Sequence, residues 1–180
     1  VLHSDTTHNS TTFTDSSNSG HTITANNNVR HRSTGNITGG SKFGSSAIFF
    51  DGASDYLSIP ASTDFVFGTG DFTVDLWFQP TDTTDRIIVG TTSSGSATNT
   101  TWRMKSSGWP IFGSGTADHW PASQPANLTL NAFQHIAVTR TSGTLTGYVN
   151  GTAVGGTTSP SFDISESRAL WIGDGRDGND

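Results

Sequence analysis

A strictly alternating segment in the middle of the chain constrains its fold more than any other feature. Between residues 71 and 79, apolar side chains occupy every second position, at Phe72, Val74, Leu76 and Phe78. Polar residues and one tryptophan fill the positions between them. Because successive side chains of a strand point to opposite faces, this period of two predicts a half-buried β-strand.

Two more strands are predicted directly before this segment. Residues 47–50 form a short apolar run that a turn signal at residues 51–52 closes, and residues 56–59 form a second run that ends at Pro60. Proline and the Asp-Gly pair both interrupt a strand, for reasons of backbone geometry. Three strands therefore follow one another within residues 46–80.

A hairpin is predicted in the last third of the chain. An alternating strand at residues 133–140 is followed by turn signals at residues 141–143 and again at Asn150 and Gly151. An Asn-Gly pair favours a tight turn because both residues adopt a positive φ at low cost. We expect four side chains of this hairpin to face the core: Ile136, Val138, Leu145 and Val149.

The remaining segments give weaker strand signals. Residues 4–42 are polar and poorly defined, and residues 106–130 are predicted to form a long irregular region that carries Trp109 and Trp120. Loops of this length in a compact domain are usually functional or flexible. Further strands are expected at residues 1–3, 21–25, 86–90 and 101–105, with a loop at residues 91–100.

The composition independently supports an all-β domain. Only 13% of the residues are charged, serine, threonine, glycine and asparagine are abundant, and no segment has a helical period. Such a mixture lowers helix propensity and favours strands joined by turns. A chain of 180 residues suits a single domain with one sizeable core.

Charge and composition also exclude several classes of function. The net charge is −6 and the basic residues are scattered, which argues against nucleic acid as a partner. No apolar run approaches the roughly 20 residues that span a bilayer, so membrane insertion is not expected. The absence of cysteine removes disulfides and thiolate zinc sites.

Three blocks of the sequence resemble a known family. The segments 50–77, 133–151 and 170–173 are similar to the strand and turn blocks of the laminin-G-like branch of the concanavalin A-like lectin/glucanase superfamily. The resemblance implies a two-sheet antiparallel β-sandwich of the concanavalin A-like jelly-roll type, with residues 1–180 forming one domain. The N-terminal part looks most like copies of this domain in virion proteins of tailed bacteriophages.

The C-terminus departs from the family pattern. The resembled family continues after its "L-x-IG" strand into a further strand that closes the sheet, whereas residues 174–180 carry no such strand signal. We therefore expect the domain to lack its closing C-terminal strand. Either a longer polypeptide contains it or a neighbouring chain supplies it, since an open sheet edge favours strand addition.

The resemblance to a superfamily with an enzyme branch raises the question of catalysis. Glycosidases of that branch carry a Glu-x-Asp-x-Glu strand, because glycoside hydrolysis needs two carboxyl groups at a fixed separation. Here the matching strand has only Asp75 on its outer face, and the single glutamate is Glu166. No G-x-S-x-G nucleophile motif is present, and the six histidines lack a metal-binding spacing. The sequence therefore predicts a protein that is not an enzyme.

Calcium is a cofactor that the resemblance brings into consideration, since many such domains bind it through loop oxygens. Two groups of residues supply such oxygens, and neither has the spacing of an EF-hand. The groups are Asp51, Asp55, Asp64 and Asp71 in turns of the middle block, and Asp174, Asp177, Asn179 and Asp180 at the C-terminus. The alternative interpretation, which we prefer, is that aspartate favours turns by bonding nearby backbone. Calcium binding is left without assigned ligands.

A glycan platform is predicted in the irregular region. Sugar rings stack on aromatic faces, and neighbouring polar groups fix their orientation. Trp109 and Trp120 both precede proline outside the predicted strands, and Asp118 and His119 supply polar partners. The alternative is that these tryptophans fold down over the sheet edge. Trp77, Trp102 and Trp171 lie in predicted strands and are expected to pack in the core or on a sheet face.

These observations together predict a non-catalytic adhesion or decoration module of a larger assembly. The most favoured assembly is the exterior of a tailed-phage virion, either the capsid or a tail fibre, with other virion chains and cell-surface glycans as partners. Display in many copies would make weak glycan binding effective. The alternatives are a calcium-dependent carbohydrate-binding module of a secreted bacterial adhesin or polysaccharide-degrading protein, and a cement domain that binds only protein.

Overall fold

The structure is a computed structural model that describes residues 1–38, 40–92 and 101–173. Within these residues it contains thirteen β-strands and two short 3₁₀ turns, at Thr34–Asn36 and Thr63–Phe65. The strands are β1 (Thr24–Asn26), β2 (Arg30–Ser33), β3 (Ser46–Phe49), β4 (Tyr56–Ile59), β5 (Phe72–Phe78), β6 (Arg86–Thr92), β7 (Trp102–Ser106), β8 (Pro110–Ser114), β9 (Ala117–Trp120), β10 (Gln134–Thr141), β11 (Thr144–Val149), β12 (Thr152–Thr158) and β13 (Ala169–Ile172).

The strands form two main antiparallel sheets and one small one. The large sheet has seven strands in the order β1-β4-β13-β6-β7-β8-β9, and the second sheet has four strands in the order β12-β11-β10-β5. Strands β2 and β3 pair separately. The predicted all-β antiparallel sandwich is confirmed.

Alternation builds the four-stranded sheet as the sequence predicts. Ile136, Val138 and Leu145 are completely buried, and Val149 packs against the same cluster. The β10–β11 turn places Ser142 and Gly143 at φ values of 48° and 80°, which glycine adopts without a steric penalty.

The main core lies between the two large sheets. The seven-stranded sheet contributes Met104, Phe112 and Trp120, and the four-stranded sheet covers them with Phe72 and Ile136. A second, smaller cluster joins the N-terminal segment to the large sheet through Phe13, Val29 and Leu57. Residues before the first family block therefore pack against the large sheet.

The strand predictions for the N-terminal segment are wrong in part. Residues 1–3 form no strand and make only an isolated bridge between Leu2 and Asp15. The strand expected at residues 21–25 is observed instead at Thr24–Asn26, where it pairs with β4. Ile23 and Ala25 do pack against the smaller core cluster, but so short an alternation in a polar segment does not fix where the strand begins.

The prediction that residues 106–130 are irregular is wrong for residues 110–120, whereas residues 121–130 contain no strand. Strands β8 and β9 lie within this region and complete one edge of the seven-stranded sheet. Pro110 occupies the first position of β8, where a strand tolerates proline, and Gly115 turns the chain into β9 with φ 54°. Because proline and glycine have low strand propensity, the sequence pattern does not predict this hairpin.

Candidate functional site: a row across the seven-stranded sheet

The four residues predicted to form a glycan platform do not come together. Trp120 has no exposed surface, and its register with Phe112 directs it into the core. Its indole N–H donates to the carbonyl of Gly156 at 2.9 Å. The prediction of Trp120 as an exposed platform is wrong, because the glycines of β11 and β12 leave a space that the indole fills.

His119 packs locally, and Trp109 differs from the exposed Asp118 in burial and hydrogen bonding. The His119 ring stacks on Phe162 with centroids 4.7 Å apart, and its Nε2 lies 2.7 Å from the Ser114 hydroxyl. Burial lowers the pKa of His119 and the nearby Arg103 charge lowers it further, so the ring is neutral at pH 7. Trp109 is half-buried, and its carbonyl accepts a hydrogen bond from the Ser107 amide.

Asp118 is exposed and lies on the outer face of the seven-stranded sheet, where the strand registers align one residue from each strand. We call these residues the cross-strand row. In strand order the row is Thr24, Ser58, Trp171, Gly90, Arg103, Gly113 and Asp118. The row therefore runs from one edge of the sheet to the other.

An aromatic pair stands on one side of the row. The rings of Trp171 and Tyr56 are stacked, with centroids 4.6 Å apart and an angle of 17° between their planes. Both side chains are half-buried. The signal for this arrangement was present in the sequence, since Leu170 and Ile172 alternate with Trp171 and pack against the core.

A fixed charged group stands on the other side of the row. The Arg103 guanidinium is only 5% exposed; it donates to Asp118 at 2.7 Å and also to the carbonyl of Gly115. The Lys105 ammonium bridges Asp118 at 3.2 Å and Asp85 at 3.0 Å. Two cations and two carboxylates are thereby held in place, which preorganises their donors and acceptors.

Glycines occupy two positions of the row: Gly90 lies between Trp171 and Arg103, and Gly113 lies between Arg103 and Asp118. A Cβ at Gly113 would lie 2.3 Å from the Ala117 carbonyl oxygen, and one at Gly90 would lie 2.7 Å from that of Trp102. Neighbouring strands are about 4.8 Å apart, so the Cα atoms of Trp171 and Arg103 are roughly 10 Å apart, with Gly90 between them. The row thus places an aromatic side chain and a charged group on either side of one glycine.

The turn aspartates considered for calcium have other partners. Asp51 accepts hydrogen bonds from the amides of Ala53 and Ser54, which lower its pKa, and Asp71 accepts one from Ser142. Asp55 and Asp64 likewise accept hydrogen bonds from protein groups. Over the described ranges no three histidine or acidic side chains are grouped to hold a metal ion. The second set, at residues 174–180, lies outside the described residues.

Comparison with known families agrees with this architecture. Residues 50–180 match the laminin G family described as the concanavalin A-like lectin/glucanases superfamily. The chain belongs to this laminin G family. A search of curated proteins finds no match.

Solved structures that resemble this laminin G domain show the fold. One is domain 4 of AbnA, an extracellular GH43 arabinanase from Geobacillus stearothermophilus in complex with arabinotriose, with 18% identity, a TM-score of 0.57, and coverage of 84% of this chain and 71% of that one. Another is the botulinum neurotoxin serotype D binding domain, with 11% identity, a TM-score of 0.61, and coverage of 92% and 42%. This chain therefore spans less than half of the neurotoxin domain.

The described part of the laminin G domain contains no helix long and apolar enough to cross a membrane.

Proposed function

We propose that this laminin G domain is a non-catalytic module that binds glycans on the cross-strand row. The observation that carries the proposal is the placement of the Tyr56–Trp171 stack and the Arg103–Asp118 pair on opposite sides of Gly90. Aromatic faces take the apolar side of a sugar ring, and fixed polar groups orient its hydroxyls. The backbone positions of Trp171 and Arg103 are roughly 10 Å apart, a spacing that suits a ligand the size of one sugar residue.

The state of the carboxyl groups supports a non-catalytic role. A glycosidase needs a general acid whose pKa is raised. The carboxyl shifts resolved within the described residues all go downward, and hydrogen bonds are their largest cause; the groups are Asp5, Asp15, Asp51, Asp64 and Asp82. Asp85 and Asp118 are both paired with Lys105, and Glu166 is paired with Arg168.

The larger setting is part of the same proposal. The resemblance of the N-terminal segment favours an exterior virion protein of a tailed phage, displayed in many copies. Multiple copies convert weak binding by each domain into strong attachment to a cell surface. Imaging the native particle would test this setting; a domain on a secreted polysaccharide-degrading protein, stabilised by calcium, would overturn it.

The experiment for the glycan site compares two exposed or half-exposed tryptophans on opposite sheets. We expect Trp171→Ala to abolish binding on a glycan array, and Trp77→Ala on the four-stranded sheet to retain it. Urea unfolding of both variants checks that each remains folded. Loss of binding in Trp77→Ala alone, or retention in a folded Trp171→Ala, would reject the cross-strand row as the site.

A second candidate function is protein binding by the opposite face of the sandwich. Phe43 is 63% exposed and Trp77 is 37% exposed, and their rings meet edge to face at 5.5 Å. Aromatic residues that remain on the surface are typical of protein interfaces. A cement function predicts that Phe43→Ser prevents incorporation into the assembly while glycan binding remains normal.

A further inference from the structure

A polar pocket lies on the two-stranded sheet, separate from the cross-strand row. It has a volume of about 270 Å³ and is lined by His8, Asn9, Arg30, Arg32 and Asn36. The lining contains two arginines and no carboxylate, in a chain whose net charge is −6. This concentration of positive charge has no use in the glycan site proposed above.

Strand alternation fixes the side of β2 on which the arginines lie. His31, between them, is 1% exposed and stacks on Phe13 with centroids 4.4 Å apart. Its Nδ1 lies 2.6 Å from the Ser4 hydroxyl, and its Nε2 lies 3.0 Å from the Thr12 carbonyl. A one-residue slip would bury both arginines and expose His31, so the register holds the guanidinium groups on the pocket side.

Phe49 of the neighbouring strand supports both guanidinium groups. The Arg32 carbon Cζ lies 3.3 Å from the centroid of the Phe49 ring, and that of Arg30 lies 5.4 Å away. Stacking on a ring restrains the guanidinium while leaving its N–H edge available. Arg30 donates one hydrogen bond to the Asn28 carbonyl, and Arg32 makes no hydrogen bond or ion pair with a described residue.

The other lining groups add oriented donors. The Nδ1 of His8 accepts a hydrogen bond from the Ser33 amide at 3.3 Å, which leaves Nε2 to carry the proton of the neutral ring. The Asn36 amide nitrogen is 2.8 Å from the Ser33 hydroxyl, so its orientation is also fixed. The pocket therefore presents donors on several sides.

We infer that this pocket binds an oxyanion carried by an acidic glycan. Guanidinium forks recognise carboxylate, sulfate and phosphate groups through paired N–H donors. The volume lies just below the usual range of about 300–1,000 Å³ for small-molecule pockets, which suits one charged group with its sugar ring. The inference stands independently of neutral-sugar binding on the cross-strand row.

The test titrates the whole chain with four probes and follows backbone and arginine side-chain NMR signals. The probes are glucuronate, methyl glucoside as its uncharged counterpart, inorganic sulfate and inorganic phosphate. We expect glucuronate to shift the signals of Arg30, Arg32 and Asn36, and methyl glucoside to leave them unchanged. Tighter binding of glucuronate than of the inorganic anions supports an acidic sugar as the ligand. Tighter binding of the inorganic anions would overturn the acidic sugar and assign the site to free sulfate or phosphate.

Matched variants separate a site from general charge. Arg30→Gln combined with Arg32→Gln should weaken anion binding at least tenfold, whereas Lys42→Gln combined with Arg168→Gln removes the same charge elsewhere and should leave it unchanged. Arg32→Lys keeps the charge without the fork and should give an intermediate affinity. The inference would be overturned if both double variants weakened anion binding equally. It would also be overturned if the anions shifted only signals of residues outside the pocket.

Discussion

Trp120 is the largest of the fully buried side chains. It fits in the core because the residue opposite it is a glycine. A Cβ at Gly147 of β11 would lie 2.2 Å from the Trp120 carbon Cζ2. The two sheets therefore meet where a glycine and an indole complement each other. This contact explains why a tryptophan beside proline in a polar segment turned inward.

Replacing this glycine tests the contact. Gly147→Ala should lower the free energy of unfolding by about 1–3 kcal/mol, the usual effect of overpacking a core. Gly35→Ala is the matched control, since nothing lies within 4 Å of a Cβ there, and it should change stability by less than about 0.5 kcal/mol. Urea unfolding measures the stability of both variants. Equal changes in the free energy of unfolding would show that the contact between Gly147 and Trp120 is not tightly packed.

His31 makes stability depend on pH. Burial lowers the pKa of its imidazole below the ordinary value of 6.5, so the unfolded chain binds a proton more readily than the folded one. Its stabilisation is complete above pH 6.5 and is lost as the pH falls through the lowered pKa. The urea midpoint should therefore fall between pH 7.5 and pH 5, and His31→Gln should reduce this fall. If the urea midpoint of His31→Gln falls with pH as steeply as that of the unmodified protein, His31 is not the cause.

At the scale of elements, β10 carries a buried arginine that fastens loops to the sandwich. Arg140 is 3% exposed and donates to the carbonyls of Gly68 and Gly70, both at 2.7 Å, and of Phe162 at 3.3 Å. Its guanidinium also lies within about 5 Å of the Phe72 and Phe162 ring centroids. One side chain thus joins the entrance of β5 to the segment that precedes β13.

Arg140→Met should cost roughly 3 kcal/mol of unfolding free energy, because it removes the hydrogen bonds that a charged group donates to three loop carbonyls. Arg168→Met is the matched control; among the described residues Arg168 pairs with the exposed Glu166, and its loss should cost less than about 1 kcal/mol. Thermal unfolding measures the loss of stability in each variant. Similar losses in the two variants would contradict the role of Arg140 in holding the loops to the sandwich.

Elements differ in how far the sequence predicts them. Strands β5, β10 and β11 follow from alternation because each has one buried face. The β8–β9 hairpin is invisible to that argument, since proline and glycine occupy its key positions. The candidate site depends on register across six strand pairs, so no local pattern places Asp118 beside Arg103 or Trp171 across from them. The pocket around Arg30 and Arg32 similarly requires Phe49 from another strand.

At the scale of the whole molecule, the N-terminal segment packs against the sandwich, and we expect the two to unfold together. Val29 is completely buried against Leu57 of β4, and Ile172 of β13 packs against this cluster as well as the main core. All five tryptophans lie between residues 77 and 171, outside the N-terminal segment. Tryptophan fluorescence therefore reports on a part of the molecule distant in sequence from Val29.

Val29→Ala should lower the unfolding free energy by about 2 kcal/mol, in line with large-to-small core substitutions. Because the two clusters share Ile172, the fluorescence and circular-dichroism transitions should shift together to lower urea concentration. Val1→Ala, at a side chain that is 69% exposed, serves as the control. A fluorescence midpoint that stays unchanged in Val29→Ala would mean that the N-terminal segment unfolds as an independent unit.

The position of β13 has a consequence for synthesis of the protein. This strand lies in the middle of the seven-stranded sheet, between β4 and β6, although it is the last described strand along the chain. The two halves of that sheet cannot join until residues 169–172 have left the ribosome. A sheet that depends on such distant pairing forms slowly and exposes unpaired edges meanwhile. Folding of the seven-stranded sheet is therefore expected to finish only after β13 has left the ribosome.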